Sequence, residues 1–152
     1  MRVRDLEIDD LPAVFAIEQQ AMAHPWNEAQ LREEQAMVGG VSLVAETDRQ
    51  ICGFAFFRTC APESELLRLA VAPDRRGQGI GSALLDHALR ALAEQGYATC
   101  FLEVRSSNTA ARRLYAKAGF IQIGARKKYY SQPVEDGLLL CRTLPNQNGG
   151  IS

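Results

Sequence analysis

The sequence predicts an α+β fold: a mixed, mostly antiparallel sheet of about seven strands flanked by four helices. The first observation is the order of periodic segments, which runs strand, two helices, three strands, helix, strand, helix and two strands. The second is a hairpin pattern, in which Val41 to Glu46 and Ile51 to Arg58 flank a short polar turn. The third is a strand-turn-helix unit further along the chain. Hairpins combined with such crossover units are typical of a mixed sheet.

Length and composition limit the classes of protein to consider. The chain has 152 residues, of which 47% are hydrophobic, so we expect one domain over residues 1–144 and a disordered tail over 145–152. A formal net charge of −1 does not favour nucleic-acid binding. Acidic residues near the N-terminus and the lack of a long apolar run argue against a secretory signal or a membrane span. We expect a cytoplasmic monomer or weak dimer.

In the first half of the chain, a strand over Val3 to Ile8 precedes a helix that should begin after N-cap candidates at residues 9–10 and end near Ala23. Residues 24–27, His-Pro-Trp-Asn, interrupt it before a more polar helix over 28–37.

In the second half, Glu65 to Ala72 is a predicted strand, and an apolar stripe predicts a helix from Ile80 to a stop at Gly96. The run from Ala98 to Arg105 is so apolar that we expect both of its faces to be covered. The remaining predicted elements are a helix over 109–118 and strands over 120–125 and 138–144.

The strand-turn-helix unit, Leu66 to Leu85, contains three glycines between its strand and its helix: Gly77, Gly79 and Gly81. Without a Cβ, these residues can take positive φ and bring backbone N–H groups close to a ligand. The first N–H groups of the helix have no internal partner there, and the helix dipole favours negative charge. The unit therefore predicts phosphate binding, and a glycine-rich connection without a ligand is the alternative.

Two common phosphate motifs do not match this loop. No lysine follows the glycines, as a P-loop requires, and a GxGxxG fingerprint that starts at Gly77 would need glycine at Ser82. The loop instead reads as arginine, two residues, glycine, one residue and glycine over Arg76 to Gly81. This pattern resembles the acetyl-CoA pyrophosphate loop of the GNAT superfamily of N-acetyltransferases.

The resemblance implies that acetyl-CoA is the acetyl donor and that the strand before the loop pairs with its pantetheine arm. A Val71 N–H would then serve the oxyanion. For Asn108, a helix N-cap role is the alternative to a cofactor contact. The residues implied in cofactor binding are Leu69, Ala70, Val71, Arg76, Gly77, Gln78, Gly79, Ile80, Gly81 and Asn108.

Acetyl transfer to an amine requires a base and an acid. A protein α-amine with a pKa of about 8 is largely protonated at neutral pH, and the departing thiolate is best protonated as it leaves. Glu103 is the candidate base because a carboxylate within an apolar strand is costly to bury unpaired. A structural ion pair with Arg105, Arg68 or a helix arginine is the alternative. Tyr115 is the candidate acid, or else a core tyrosine.

Four segments, HPW, LEVR, SSNTAARRLYAKAGF and KYY, resemble the RimI family, a GNAT branch that acetylates the N-terminal residue of a ribosomal protein. The resemblance implies that Glu103 is the base and Tyr115 the acid, in a direct transfer within a ternary complex. It also implies that Trp26, Tyr129 and Tyr130 bind the substrate peptide. Core packing is the alternative for Trp26.

Other interpretations remain open. The acceptor could be a lysine or a small-molecule amine, or the protein could be a non-catalytic acyl-CoA-binding subunit. The four cysteines show no CxxC pair, so we predict no metal site and expect free thiols, buried at Cys52, Cys100 and Cys141. A nucleophilic cysteine is a further alternative, although neither His24 nor His87 lies beside a cysteine in the sequence.

Overall fold

The structure, a computed structural model, describes residues 1–131 and 133–145. Seven strands form one sheet in the order β1-β2-β3-β4-β5-β7-β6, and four α-helices connect them. This architecture confirms the predicted α+β class. The strands are β1 (Arg2–Asp5), β2 (Val41–Thr47), β3 (Gln50–Cys60), β4 (Glu63–Val71), β5 (Thr99–Arg105), β6 (Ile121–Tyr130) and β7 (Glu135–Thr143). The helices are α1 (Leu11–Ala21), α2 (Glu28–Gln35), α3 (Ile80–Glu94) and α4 (Thr109–Lys117).

The sheet is mostly antiparallel, as predicted. The pairs β1–β2, β2–β3, β5–β7 and β6–β7 are antiparallel, whereas β4 and β5 run parallel. The parallel register joins Glu63–Glu65 to Thr99–Phe101. The turn between β2 and β3 has positive φ at both Asp48 and Arg49, at 53° and 65°, as expected for the tight turns whose twist matches that of a hairpin.

The chain divides into two compact units. Unit 1 comprises Met1–Thr59 and Leu66–Ala88, and unit 2 comprises Cys60–Glu65 and the chain from Leu89 onward. Strand β4 therefore contributes its first residues to unit 2 and its last six to unit 1.

Unit 1 packs its helices α1 and α2 against one face of its strands. Phe54 and Phe56, two residues apart on β3, are fully buried and lie edge to face with ring centroids 5.6 Å apart. Aromatic pairs of this kind add to the stabilisation that burial of their area provides. One core cluster of unit 1 contains Leu6, Leu11, Val14, Ile17, Leu31, Val44, Phe54, Phe56, Ala70 and Ala72.

Unit 2 is organised around β5, which pairs with β7 along its whole length. Cys100, Leu102 and Val104 are buried, while the alternate residues of β5 are half-buried. The expectation that both faces are covered is thus met fully on one face and partly on the other. The partly covered face carries Glu103.

The C-terminal hairpin differs from the prediction. The sequence predicted strands over 120–125 and 138–144, but β6 extends to Tyr130 and β7 begins at Glu135. Most residues of β6 are exposed, and two of them, Arg126 and Lys127, form ion pairs. The strand therefore lacks the apolar alternation on which the prediction depended.

Three smaller expectations also need correction or qualification. Asp10 occupies the N-cap position of α1, as predicted, but its carboxylate makes no capping bond to that helix and instead binds Arg4 and accepts the Glu7 N–H. Cys52 and Cys100 are buried, as expected, but Cys141 is only half-buried. The predicted disordered tail lies outside the described residues beyond position 145. In the part of the chain that is described, no helix is long and apolar enough to cross a membrane.

A buried ion pair fixes the end of α1 within unit 1. The side chain of Glu18 is fully buried, and both of its oxygens accept hydrogen bonds from the Arg68 guanidinium on β4. Its Oε2 also accepts the backbone N–H of Trp26 at 2.8 Å. The same guanidinium stacks over the Trp26 ring, 4.7 Å from its centroid. The Glu18 carboxylate thus links helix α1, the segment between α1 and α2, and strand β4.

Glu18→Ala is expected to lower the free energy of unfolding by about 3–5 kcal/mol, because it leaves the largely buried Arg68 cation without its counter-charge. Urea denaturation measures this change. The matched control is Glu28→Ala, which removes an exposed carboxylate that lies 3.7 Å from Arg32. That change should cost no more than about 0.5 kcal/mol. Equal losses in the two variants would contradict the assigned role of Glu18.

Candidate active site

The predicted phosphate loop lies in unit 1, between the end of β4 and the start of α3. A 3₁₀ turn over Pro73–Arg75 follows the strand, and the carbonyl of Gly79 accepts the N–H of Ala83 at 3.0 Å, which closes the first turn of α3. Gly77 and Gly79 have φ values of +79° and +80°, as predicted, whereas Gly81 lies within the helix.

The geometry of this loop fits a phosphate group. Residues 76–79 are exposed, and a Cβ added to either Gly77 or Gly79 would have no heavy atom within 4 Å. Open space therefore lies beside a backbone that positive φ values turn towards solvent at the positive end of a helix dipole. Arg76 supplies a cation at the same place.

The helix behind the loop is anchored by close packing on β3. Ile80 is 3% exposed, and its Cγ2 would lie only 3.0 Å from a Cβ at Gly53. The Ala70 carbonyl and Leu84 Cδ1 would lie 3.1 and 3.3 Å from that same Cβ. The absence of a side chain at Gly53 thus lets the first turn of α3 approach the sheet. The sequence analysis did not single out this glycine.

The strand residues implied in pantetheine binding directly precede the loop. Ala70 is buried, whereas Leu69 and Val71 are half-buried. The residue before them is Arg68, which is fixed by Glu18. The backbone of this part of β4 is therefore well supported on its buried side.

Trp26 occupies the break between α1 and α2 and is half-buried. It packs against the core of unit 1, so the core-packing alternative is correct for part of its surface. Its remaining surface faces a cavity of about 290 Å³. The other residues that line this cavity are Gln30, Glu33, Glu34, Met37 and Arg58.

Glu103 lies in unit 2, on the partly covered face of β5. Its side chain is 19% exposed, and its Oε1 lies 3.0 Å from Nη2 of Arg126. Its Oε2 is buried and accepts no hydrogen bond from any described residue. Glu103 does form an ion pair, but none of the three predicted partners provides it. Arg126 of β6 provides it instead.

Tyr115 is buried in unit 2, on the inner face of α4. Its ring packs edge to face with Phe120, with centroids 5.9 Å apart, so it is also the core tyrosine of the alternative interpretation. Burial raises the pKa of its hydroxyl to about 12, with smaller contributions from Tyr130 and Cys100. The hydroxyl is therefore protonated at neutral pH, as a general acid must be.

Asn108 is the N-cap of α4, since its side-chain oxygen accepts the N–H of Ala111 at 3.2 Å. The alternative role considered for this residue is thus confirmed. A contact with the cofactor remains a prediction, and it would use a different atom of the amide.

Tyr129 and Tyr130 end β6 with their rings edge to face, 5.0 Å between centroids. Arg126 stacks on Tyr129, and Arg105 stacks on Tyr130. A Cβ at Gly137 would meet the two tyrosine rings at 3.1 and 3.2 Å, so a side chain there would require the rings to move by a few tenths of an ångström.

The electrostatics of unit 2 connect these residues. Burial raises the pKa of the Tyr130 hydroxyl, and the negative charge of Glu103 raises it further. Tyr130 in turn affects Tyr115. Glu103, Tyr115 and Tyr130 are therefore close enough to interact, and they supply a carboxylate and two protonated hydroxyls in one region.

Sequence reasoning missed Arg126 and Gly137 in this region. Arg126 was not among the predicted partners of Glu103, and its contact with Glu103 spans three strands. Gly137 was not considered, although its place in a polar hairpin with two aromatic residues could have drawn attention to it.

Comparison with known proteins supports this assembly. Residues 11–120 match the model of the Acetyltransferase (GNAT) family. The chain is 38% identical over 135 residues to the ribosomal protein bS18-alanine N-acetyltransferase of Escherichia coli K12, which is 89% of each chain. It is 37% identical over 131 residues to the Haemophilus influenzae protein of that name, which is 86% of this chain and 88% of the relative.

Solved structures agree with the sequence relatives. The ribosomal-protein-S18-alanine N-acetyltransferase from Escherichia coli superimposes with a TM-score of 0.89 at 34% identity, over 97% of each chain. Ard1 from Thermoplasma volcanium superimposes with a TM-score of 0.88 at 26% identity, over 95% of this chain and 97% of that one. Sequence, fold and relatives agree, and the chain belongs to the GNAT family of acetyltransferases.

Proposed function

We propose that this protein acetylates the N-terminal alanine of ribosomal protein bS18, with acetyl-CoA as the donor. The observation that carries the proposal is 38% identity to an enzyme of that name over 89% of both chains. Family membership confirms the predicted enzyme class and donor. For this substrate we propose that the protein acts in the cytoplasm as a monomer or weak dimer. The reaction requires neither nucleic acid nor a membrane.

The donor half of the reaction belongs to unit 1. The loop over 76–81 would hold the pyrophosphate, because positive φ at Gly77 and Gly79 turns N–H groups outward at the start of α3. Leu69 to Val71 would hydrogen-bond the pantetheine arm as an added strand does. The family resemblance also implies a cofactor contact from the side chain of Asn108. The donor supplies an acetyl group activated as a thioester.

The acid and the base belong to unit 2. Glu103 would take a proton from the acceptor ammonium through the buried Oε2, because Arg126 already occupies Oε1. The neutral amine nitrogen would then attack the carbonyl carbon of the thioester. As the new carbon–nitrogen bond forms and the carbon–sulfur bond breaks, the nitrogen would release its second proton to solvent. Tyr115 would give its proton to the departing sulfur, and its raised pKa keeps that proton in place until it is needed.

Recognition of the acceptor would fall to the three aromatic residues Trp26, Tyr129 and Tyr130. Tyr129 is 51% exposed and Trp26 faces a cavity, so both rings have surface available for a peptide. Aromatic rings with a polar edge suit peptide binding because they bury a large area at low entropic cost.

An acetylation assay with labelled acetyl-CoA tests the proposal directly. A peptide with the N-terminal sequence of bS18 should be acetylated at its α-amine, and the same peptide with a blocked N-terminus should not. Faster turnover of lysine side chains or polyamines would favour the alternative acceptors. Binding of acetyl-CoA without turnover of any amine would favour the non-catalytic subunit.

Glu103→Gln is expected to lower kcat by about 10²–10⁴-fold, because an amide cannot accept the amine proton. Acetyl-CoA affinity, measured by calorimetry, should stay nearly unchanged. The control is Glu94→Gln, which alters an exposed acid at the end of α3 and should leave kcat as it is. A Glu103→Gln enzyme with the normal rate would exclude Glu103 as the base.

Tyr115→Phe should lower kcat by at least about 10²-fold while the protein stays folded, because the ring contact with Phe120 remains. The protonated hydroxyl is lost only as pH rises through a pKa of about 12. Between about pH 8 and 10, Tyr115 should therefore cause no decline in the wild-type kcat. A decline in that range that disappears in Tyr115→Phe would show that the hydroxyl ionises at an ordinary pKa.

A further inference from the structure

Arg126 contacts the candidate base from a distant strand. Its guanidinium lies 3.0 Å from Glu103 Oε1 and 5.0 Å from the ring centroid of Tyr129. The side chain is 58% exposed, so the contact does not result from burial. A single surface ion pair adds little to the stability of a protein, so stability alone does not account for this contact.

The contact spans three strands. In register, Arg105 of β5 is opposite Gly137 of β7, and Gly137 is opposite Arg126 of β6. Directly opposite residues share a face of the sheet, so Arg126 and Arg105 share a face, which Glu103 also shares because it lies two residues from Arg105. Neighbouring strands are about 4.8 Å apart, so Arg126 must reach across β7. Gly137 has no side chain to obstruct that path.

Aromatic rings hold the guanidinium on this path. Tyr129 lies over Gly137, with its Cδ2 3.1 Å from the position of a Cβ there, and the guanidinium stacks on the Tyr129 ring. Stacking on the Tyr129 ring and the ion pair with Glu103 together restrict an exposed side chain.

The consequence concerns the two oxygens of Glu103. Oε1 forms an ion pair with the Arg126 guanidinium at 3.0 Å, whereas Oε2 is buried and has no partner among the described residues. We propose that Arg126 is a positioning residue that fixes the Glu103 carboxylate by Oε1 and keeps Oε2 as the oxygen that takes the acceptor proton. This inference rests on the proposed function, because it assigns a role relative to the base of that reaction.

Arg126→Gln should lower kcat by about 10–100-fold, because a base displaced by even 1 Å loses much of its effect. Arg126→Lys keeps the charge but not the planar fork, and it should recover part of the rate. The matched control is Lys127→Gln. This change removes a neighbouring cation of β6 that is 83% exposed and pairs with Asp136, and kcat should not change.

A double-mutant cycle separates positioning from other effects. If Arg126 acts through Glu103, then Arg126→Gln should lower kcat in the wild type but not in Glu103→Gln. If Arg126→Gln acted instead by disturbing Tyr129 and peptide binding, it would raise the peptide KM equally in the wild type and in Glu103→Gln. Equal loss of kcat in both backgrounds, or no loss in the wild type, would overturn the proposal.

Two further measurements check that the Arg126→Gln protein is folded and still binds acetyl-CoA. Thermal unfolding and calorimetric acetyl-CoA affinity should be unchanged in Arg126→Gln, since the side chain is exposed and lies outside the donor loop. The cycle is run with whichever amine the wild type acetylates. If the bS18 peptide is not a substrate, the proposed acceptor fails while the cycle still tests Arg126.

Discussion

The buried Glu18–Arg68 pair is the constraint on which the organisation of unit 1 depends. A carboxylate that is fully excluded from water is tolerated only when its oxygens are satisfied, and here a guanidinium and a backbone N–H satisfy them. The pair determines where α1 ends, where Trp26 lies and how β4 is held just before Leu69. Residues implied in donor binding and in acceptor binding thus depend on the same ion pair.

The carboxylate of Glu103 differs from that of Glu18 in how many of its oxygens have a partner. Only one of its oxygens has a partner among the described residues. A buried oxygen without a partner destabilises the folded protein, and a purely structural role does not explain why it is kept. Glu34 also has a buried oxygen without a partner among the described residues, beside its bond to Arg58, so this feature alone does not identify a base. Glu103 differs from Glu34 in its neighbours, because Glu103 interacts with Tyr130, which in turn interacts with Tyr115.

Much of the fold could be predicted from the sequence because its signals are local. The loop between β4 and α3 depends on glycines at positive φ and on the start of a helix, and both are visible within a few residues. Hairpin β2–β3 has apolar strands around a polar turn, so its pattern was clear. The hairpin β6–β7 was predicted too short because its exposed polar residues pair with one another, and period-2 alternation does not report such pairing.

The site was predictable only where a residue's role depends on its own segment. Glu103 stood out as a charge in an apolar strand, but its partner could not be inferred, since Arg126 reaches it across β7 by a register that no local pattern encodes. Gly53 and Gly137 likewise matter because of what other elements place beside them. A glycine that bends the chain can be recognised from its neighbours in sequence. A glycine that makes room can be recognised only when the neighbouring strands and helices are known, and the proposed positioning of Glu103 by Arg126 involves a glycine of this second kind.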